Sequence, residues 1–346
     1  MEKQTNILFL FLLFINVIPI STGHEQVQET SDPHGSLKLF VFGDSYADTG
    51  NQKKSALSWN KPYGTTFPGK PAGRFSDGHI LTDYIASFMG IETPLAYVLR
   101  KYKTHSDLRR GMNFAYGGSG VFNTVYQAPN MSTQIDFFQQ LVENNFYTKS
   151  ELRSSIALVS LAGNDYTTFI VRNADKSKEA TNAFTRSIIE QLTKNLKRIA
   201  GLGVRKIMVT GSQPLGCLPV STAISGFKSC NETNNEYAIF HNLLLREEVY
   251  KMNIERRRVV FGILDLYDAF MSAFKSVSHP ENPLKPCCVG VNGNNSCGSV
   301  DEKGEAMYVV CNDPKSSMFW DTYHPTQNGW HSVYMALQPQ LHKLIF

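Results

Sequence analysis

The chain has 346 residues, of which 42% are hydrophobic and 18% charged, and its formal net charge is +4. That length is enough for a large core in one α/β domain. The Lys and Arg residues are scattered, not gathered into blocks, which excludes the footprint of a nucleic-acid binder.

The first segment, residues 1–23, has Lys3, an apolar stretch over 7–20 and then Ser21 and Gly23. This is the pattern of a signal peptide cleaved near Gly23. As a membrane anchor it is short and is interrupted by Asn16 and Pro19, and spanning takes about 20 apolar residues. No later segment is apolar enough to span, so no stable membrane insertion is expected once the signal is removed. Residues 24–36 read as a short extension, and 37–346 as a single domain.

Residues 37–42 are an apolar run ended by Gly43-Asp44-Ser45, a pattern for a buried strand that turns sharply. The aromatic-rich loop that follows holds Trp59, Tyr63 and Phe67, suited either to an acyl pocket or to plain core packing. Ser76-Asp77 reads as the cap of an amphipathic helix over 79–89. A weaker strand begins at Met112 and runs into Tyr116-Gly117-Gly118-Ser119. A second helix is expected over 134–146. The run 155–161 is another buried strand, ending in Ala162-Gly163-Asn164-Asp165.

Further along, the pattern predicts helices over 178–203 and 234–255 and strands over 204–210 and 259–264. Strands alternating with helices imply a doubly wound, flavodoxin-like α/β fold, with a central parallel sheet of about five strands covered on both faces. Active sites in such folds lie beyond the carboxyl ends of the strands. The unusual polar residues stand there.

All six cysteines (Cys217, Cys230, Cys287, Cys288, Cys297 and Cys311) fall in the C-terminal half, as a disulfide framework in an oxidising compartment would have it. Six cysteines allow 15 pairings. Cys217 with Cys230 is the expected local closure, and the adjacent Cys287 and Cys288 should reach different partners. Zinc is disfavoured because no C-x-x-C pair stands beside a suitable histidine pair. Sequons at Asn130, Asn231 and Asn294 predict N-glycosylated surface loops. The segment 279–315 reads as a long disulfide-tied excursion.

Near the C-terminus, "FWDTYHPTQNGW" places Asp321 three residues before His324. In a compact turn a carboxylate so spaced reaches the imidazole, fixes its tautomer and stabilises the imidazolium formed when a serine loses its proton. Pro325 suits the first position of a closing helix that runs to about 344. Each piece alone has a plainer reading: Gly-Asp-Ser as a capped turn, Asp-x-x-His-Pro as a surface cap. Together they specify more. Ser45 would be the nucleophile, with oxyanion donors from its own backbone N–H at a helix start, the N–H of Gly118 and the amide of Asn164.

In order along the chain, "FVFGDSYADTGN", "GRFSDGHILTDYIA", "NFAYGGSG", "LAGNDY", "GSQPLGCLP" and "FWDTYHPT" resemble the sequence blocks of the GDSL (SGNH) esterase/lipases, in particular their secreted plant branch. The resemblance covers nearly the whole mature chain. It implies an SGNH-hydrolase sheet, Ser45, Asp321 and His324 as the triad, Gly118 and Asn164 as oxyanion donors, and no cofactor. Two positions depart from the pattern. Tyr46 stands where Leu is usual, a change expected to alter the mouth of the site, and Ala162 stands where Gly is usual.

The expected protein is thus a secreted, apoplastic or cell-wall serine esterase acting on a small-molecule or lipid ester, as a monomer. An acyltransferase using the same triad and a catalytically weak binding protein of the same fold are the alternatives. A nucleotide binder is disfavoured because no phosphate loop occurs, and the α/β-hydrolase elbow G-x-S-x-G is absent too.

Overall fold

The computed structural model describes residues 37–104, 107–161, 163–275 and 282–346. The signal-peptide and extension assignments, and Ala162, lie outside the described residues.

Six strands, all parallel, form the central sheet: β1 (Lys38–Gly43), β2 (Leu95–Ala96), β3 (Gly111–Asn113), β4 (Ser155–Ser160), β5 (Lys206–Thr210) and β6 (Phe261–Leu264). Their spatial order is β2-β3-β1-β4-β5-β6. The sheet has one strand more than expected because β2 is a two-residue edge pairing with β3, too short to leave a periodic signal. From β1 the chain passes to the edge strand β2, returns inward to β3 and then crosses β1 to β4, β5 and β6, so the crevice between β1 and β4 is the topological switch point.

Both faces of the sheet are buried. Phe40 and Phe42 of β1, with Ala157 and Val159 of β4, pack into one cluster; Leu39 and Val41, with Ile156 and Leu158, pack into the other. This is the period of two expected of a strand covered on both sides, and it makes the sequence read as a continuous apolar run. The first face is covered by α2 (Met131–Glu143), α5 (Lys178–Gly201) and α7 (Glu232–Arg256), through residues such as Phe138, Leu192 and Leu245. The second is covered by α1 (Leu81–Phe88), α8 (Leu266–Ala273) and α9 (Gln327–Ile345), through Ile85, Phe270, Trp330 and Leu337. Shorter helices α3 (Lys149–Arg153), α4 (Asn164–Arg172) and α6 (Pro219–Thr222) complete the set.

Several local expectations change. Ile80 stands at the N-cap of α1, where Asp83 accepts its backbone N–H at 2.9 Å. Ser76 and Asp77 serve another helix instead. Asp77 Oδ1 accepts the N–H of Gln327 at the start of α9 (2.7 Å), and Ser76 Oγ donates to the carbonyl of Pro325 (3.1 Å). Pro325 lies before α9, and Thr326 is its N-cap, accepting from the N–H of Gly329 at 2.8 Å. Thr326 wins because its hydroxyl satisfies an orphan N–H, which Pro cannot do.

The cysteines pair as Cys217–Cys230, Cys287–Cys311 and Cys288–Cys297. The latter two tie a small antiparallel hairpin, β7 (Cys288–Gly290) with β8 (Tyr308–Val310). Its core is a third cluster of Tyr63, Cys287, Cys288, Cys297 and Trp320. Among the described residues no helix is long and apolar enough to cross a membrane.

Candidate active site

Ser45 leaves the sheet on a single helical turn that does not continue. The N–H groups of Ala47 and Asp48 donate to the carbonyl of Asp44 at 3.0 and 2.9 Å, and Asp44 Oδ1 accepts the N–H of Tyr46 at 3.0 Å. Ser45 is therefore in a turn, not at a helix start, and gains no macrodipole there; the aligned peptide units such a dipole needs are missing. Gly43 makes the turn possible. It has φ +152°, and a Cβ there would fall 1.9 Å from the carbonyl oxygen of Ser160 on β4. Its backbone is also clamped by the side chain of Gln134 on α2, whose Oε1 accepts from Gly43 N and whose Nε2 donates to Gly43 O, both at 2.8 Å.

Facing Ser45, the segment before α9 folds back so that the N–H of Trp320 donates to the carbonyl of His324 at 2.7 Å. Within that loop Asp321 Oδ1 accepts the N–H groups of Tyr323 (2.8 Å) and His324 (2.9 Å). His324 Nδ1 lies 2.8 Å from each carboxylate oxygen of Asp321, and its Nε2 lies 2.7 Å from Ser45 Oγ. The three residues are nearly enclosed, at 8% exposure for Ser45, 6% for Asp321 and 9% for His324. Burial works against the charge of Asp321, yet the imidazole and the donors around it hold its carboxyl below the usual range. A carboxylate so held fixes the Nδ1–H tautomer and leaves Nε2 free to accept the serine proton.

The two strands flanking β1 bring up the other expected residues. Gly118 follows β3 and has φ +82°; a Cβ there would meet Tyr126 Cβ at 2.6 Å. Its loop is held by Asp165, whose carboxylate accepts the N–H groups of Val121 and Phe122, both at 2.9 Å. Asn164 opens α4 after β4. Its Nδ2 donates to the carbonyl of Ser119 (2.9 Å) and, more weakly, to Asp44 Oδ2 (3.3 Å). Asp48, buried and pushed up to about 6 by desolvation, accepts from Gly50, Asn51 and Gly117, so the turn after β1 and the loop after β3 are tied together.

A serine, an imidazole and a carboxylate in one hydrogen-bonded line, beside a loop rich in backbone N–H groups, is an arrangement for acyl transfer. The chain matches the family model described as GDSL-like Lipase/Acylhydrolase over residues 39–337. It belongs to that family. Two GDSL esterase/lipases of Arabidopsis thaliana are 53% and 49% identical, each over 89% of this chain and over 88% and 91% of their own. Acetylajmalan esterase 2 of Rauvolfia serpentina is 28% identical over 88% of this chain and 90% of its own. A solved extracellular lipase of Streptomyces rimosus aligns with 89% of this chain and 99% of its own at 15% identity and a TM-score of 0.38. The protein is a carboxylic ester hydrolase of the GDSL esterase/lipase group.

In this GDSL hydrolase, Tyr46 is not at the mouth. It is buried, edge-on to Trp330 (5.0 Å between ring centroids) and to His324 (5.9 Å), and its hydroxyl donates to the carbonyl of Tyr323 at 2.8 Å. The residue after Ser45 thus fastens the loop that carries His324. The aromatic loop also divides differently from an acyl pocket. Trp59 Nε1 donates to the carbonyl of Gln52, exposed Phe67 stacks on His79 at 3.8 Å, and Tyr63 is buried against Asp321. Phe75 stacks on the His324 ring at 5.0 Å.

Of the sequons, Asn231 and Asn294 are exposed and Asn130 is partly buried. Asn130 and Asn231 are N-caps of α2 and α7, accepting from the N–H groups of Thr133 and Asn234, because Asn is among the best N-cap residues. The partners of Gln134, Asp165, Tyr63 and Phe75 escaped the sequence reading. Each acts on a backbone or side chain distant in sequence, and no short motif marks such a partner.

Proposed function

We propose that this GDSL hydrolase is a secreted serine esterase that works through an acyl-enzyme on Ser45. The observation that carries the reading is the 2.7 Å contact of His324 Nε2 with Ser45 Oγ, with Asp321 at 2.8 Å from Nδ1 on the far side of the ring. Ser45 Oγ attacks the ester carbonyl carbon while its proton passes to Nε2, and the carbonyl π electrons move onto oxygen. That oxyanion is met by the N–H groups of Ser45 and Gly118 and by Asn164 Nδ2, whose long bond to Asp44 is the one it displaces. Collapse breaks the bond to the alkoxy oxygen, which leaves as alcohol with the proton from Nε2. Water, deprotonated by His324 Nε2, then attacks the acyl carbon; collapse breaks the bond to Ser45 Oγ, which takes the proton back from Nε2, and the acid is released. No metal or organic cofactor enters any step.

The mature chain is read as one hydrolase domain over 37–346, acting as a monomer on small-molecule or lipid esters. Cleavage of residues 1–23, three disulfides and glycans on Asn130, Asn231 and Asn294 fit an apoplastic or cell-wall site. Replacing Ser45 by Ala should abolish turnover of short p-nitrophenyl esters while the circular dichroism stays that of the parent. Retained turnover overturns the proposal.

A further inference from the structure

Tyr63 stands 258 residues before Asp321, yet its hydroxyl donates to Asp321 Oδ2 at 2.7 Å. The two backbone donors to this carboxylate both go to Oδ1. Oδ2 is met only by His324 Nδ1 and Tyr63 in the hydrogen bonds of the described residues. This matters because the last torsion of an Asp side chain is broad and roughly two-fold. Donors on one oxygen alone leave the carboxylate plane free to swing, whereas anchors on both oxygens fix it.

Tyr63 is itself well held. Its ring is buried among Cys287, Cys288, Cys297 and Trp320, edge-on to Trp320 at 6.3 Å and to Phe75 at 6.1 Å. Phe75 in turn stacks on His324. One row of aromatic rings therefore touches both the carboxylate and the imidazole. The other titratable groups facing this pair are Ser45, Tyr46 and Tyr323. No Lys or Arg forms an ion pair with Asp321 among the described residues.

We propose that Tyr63 is a positioning residue: its phenol O–H locks the plane of Asp321 against His324 Nδ1 and so aims Nε2 at Ser45 Oγ. The inference rests on the triad reading above. Burial, then the negative charge of Asp321, push the Tyr63 phenol well above its usual range. It therefore remains a donor wherever the enzyme works. Without the O–H, the charge of Asp321 falls more heavily on the imidazole. Protonation of the His324–Asp321 pair is then favoured, and its orientation loosens.

Tyr63→Phe should lower kcat about tenfold, the scale of one hydrogen bond to a charged group, with KM little changed. The acid limb of its kcat/KM profile should move to higher pH. A ring-fluorinated tyrosine at position 63, with a more acidic O–H, should move that limb the other way. A packing role alone would lower the thermal midpoint and leave the limb in place. Parent kcat and limb in Tyr63→Phe overturn the inference, as does a shift of the same sign in both variants. If Tyr63→Phe does not fold, an unmoved limb in the fluorinated protein overturns it. Activity surviving in Ser45→Ala overturns the triad reading itself. Its loss there, beside an unaffected Tyr63→Phe, overturns only the part given to Tyr63.

Discussion

Asn164 carries the most exacting demand placed on a single side chain. In the proposed mechanism its amide nitrogen, which already spans Ser119 and Asp44, is preorganised before the oxyanion forms, and preorganised donors are where most electrostatic catalysis originates. Asn164→Ala should reduce kcat by about 10²- to 10³-fold, that is about 2.7 to 4 kcal/mol, with KM nearly constant. Steady-state kinetics on a soluble ester checks this, and a loss confined to KM would remove Asn164 from the oxyanion site. The meeting of Ser45, Asp321 and His324 in one hydrogen-bonded line was legible because each sits in a short motif of residue types suited to acyl transfer. Tyr46 looked like a flaw in the motif for want of one fact: its hydroxyl reaches the carbonyl of Tyr323, 277 residues away.

Among the elements, the buried strands and long amphipathic helices were readable because burial imposes a period of two or of 3.6 on the sequence. Strand β2 was not, since two residues have no period. Ser76 and Asp77 were misassigned for a related reason: a capping side chain suits any nearby orphan N–H, and the sequence lacks the information that the start of α9 lies closer than the start of α1. The β7–β8 hairpin was legible only as a cysteine-rich excursion. In the fold it buttresses the site, because the N–H of Cys288 donates to the carbonyl of Trp320 at 2.6 Å and its disulfide packs on Tyr63. Replacing Cys288 and Cys297 together by Ser should cost about 2 to 3 kcal/mol, the chain entropy of so short a loop. It should also lower kcat, through Tyr63 and Trp320. Unfolding and kinetics under non-reducing conditions measure both. A destabilised protein with parent kcat would show that the hairpin supports the fold without supporting the site.

For the whole molecule, the groups that titrate inside the fold decide how it tolerates acid. His241 on α7 is buried, its Nδ1 bonded to the Tyr166 hydroxyl at 2.9 Å, and desolvation lowers it from 6.5 to about 4. The unfolded chain therefore binds the proton first as pH falls. The contribution of His241 to stability is complete above 6.5 and is lost progressively down to about 4. Its size is about 3 kcal/mol, from roughly 2.5 pH units at 1.36 kcal/mol each. Asp48 acts oppositely, because burial raises it from 3.8 to about 6; its share is present below 3.8 and lost as pH rises through 6. His241→Asn should accordingly flatten the rise of stability between pH 4 and 6.5, measured as urea unfolding against pH. An unchanged slope would mean that the ring is not held neutral.

By itself the sequence determined the class of sheet, the grouping of Ser45, His324 and Asp321 that is proposed as the triad, and the use of the cysteines as disulfides. These follow from local patterns: hydrophobic period, turn chemistry and short catalytic motifs. The tertiary structure alone decided which side chains hold those groups in place. Gln134 clamps Gly43, Asp165 holds the loop of Gly118, Tyr46 fastens the histidine loop and Tyr63 reaches Asp321. Each of these bonds joins segments far apart in the chain. A hydrogen bond is set by distance in space, and sequence separation carries no trace of it until the parallel sheet brings the ends of β3, β1 and β4 together.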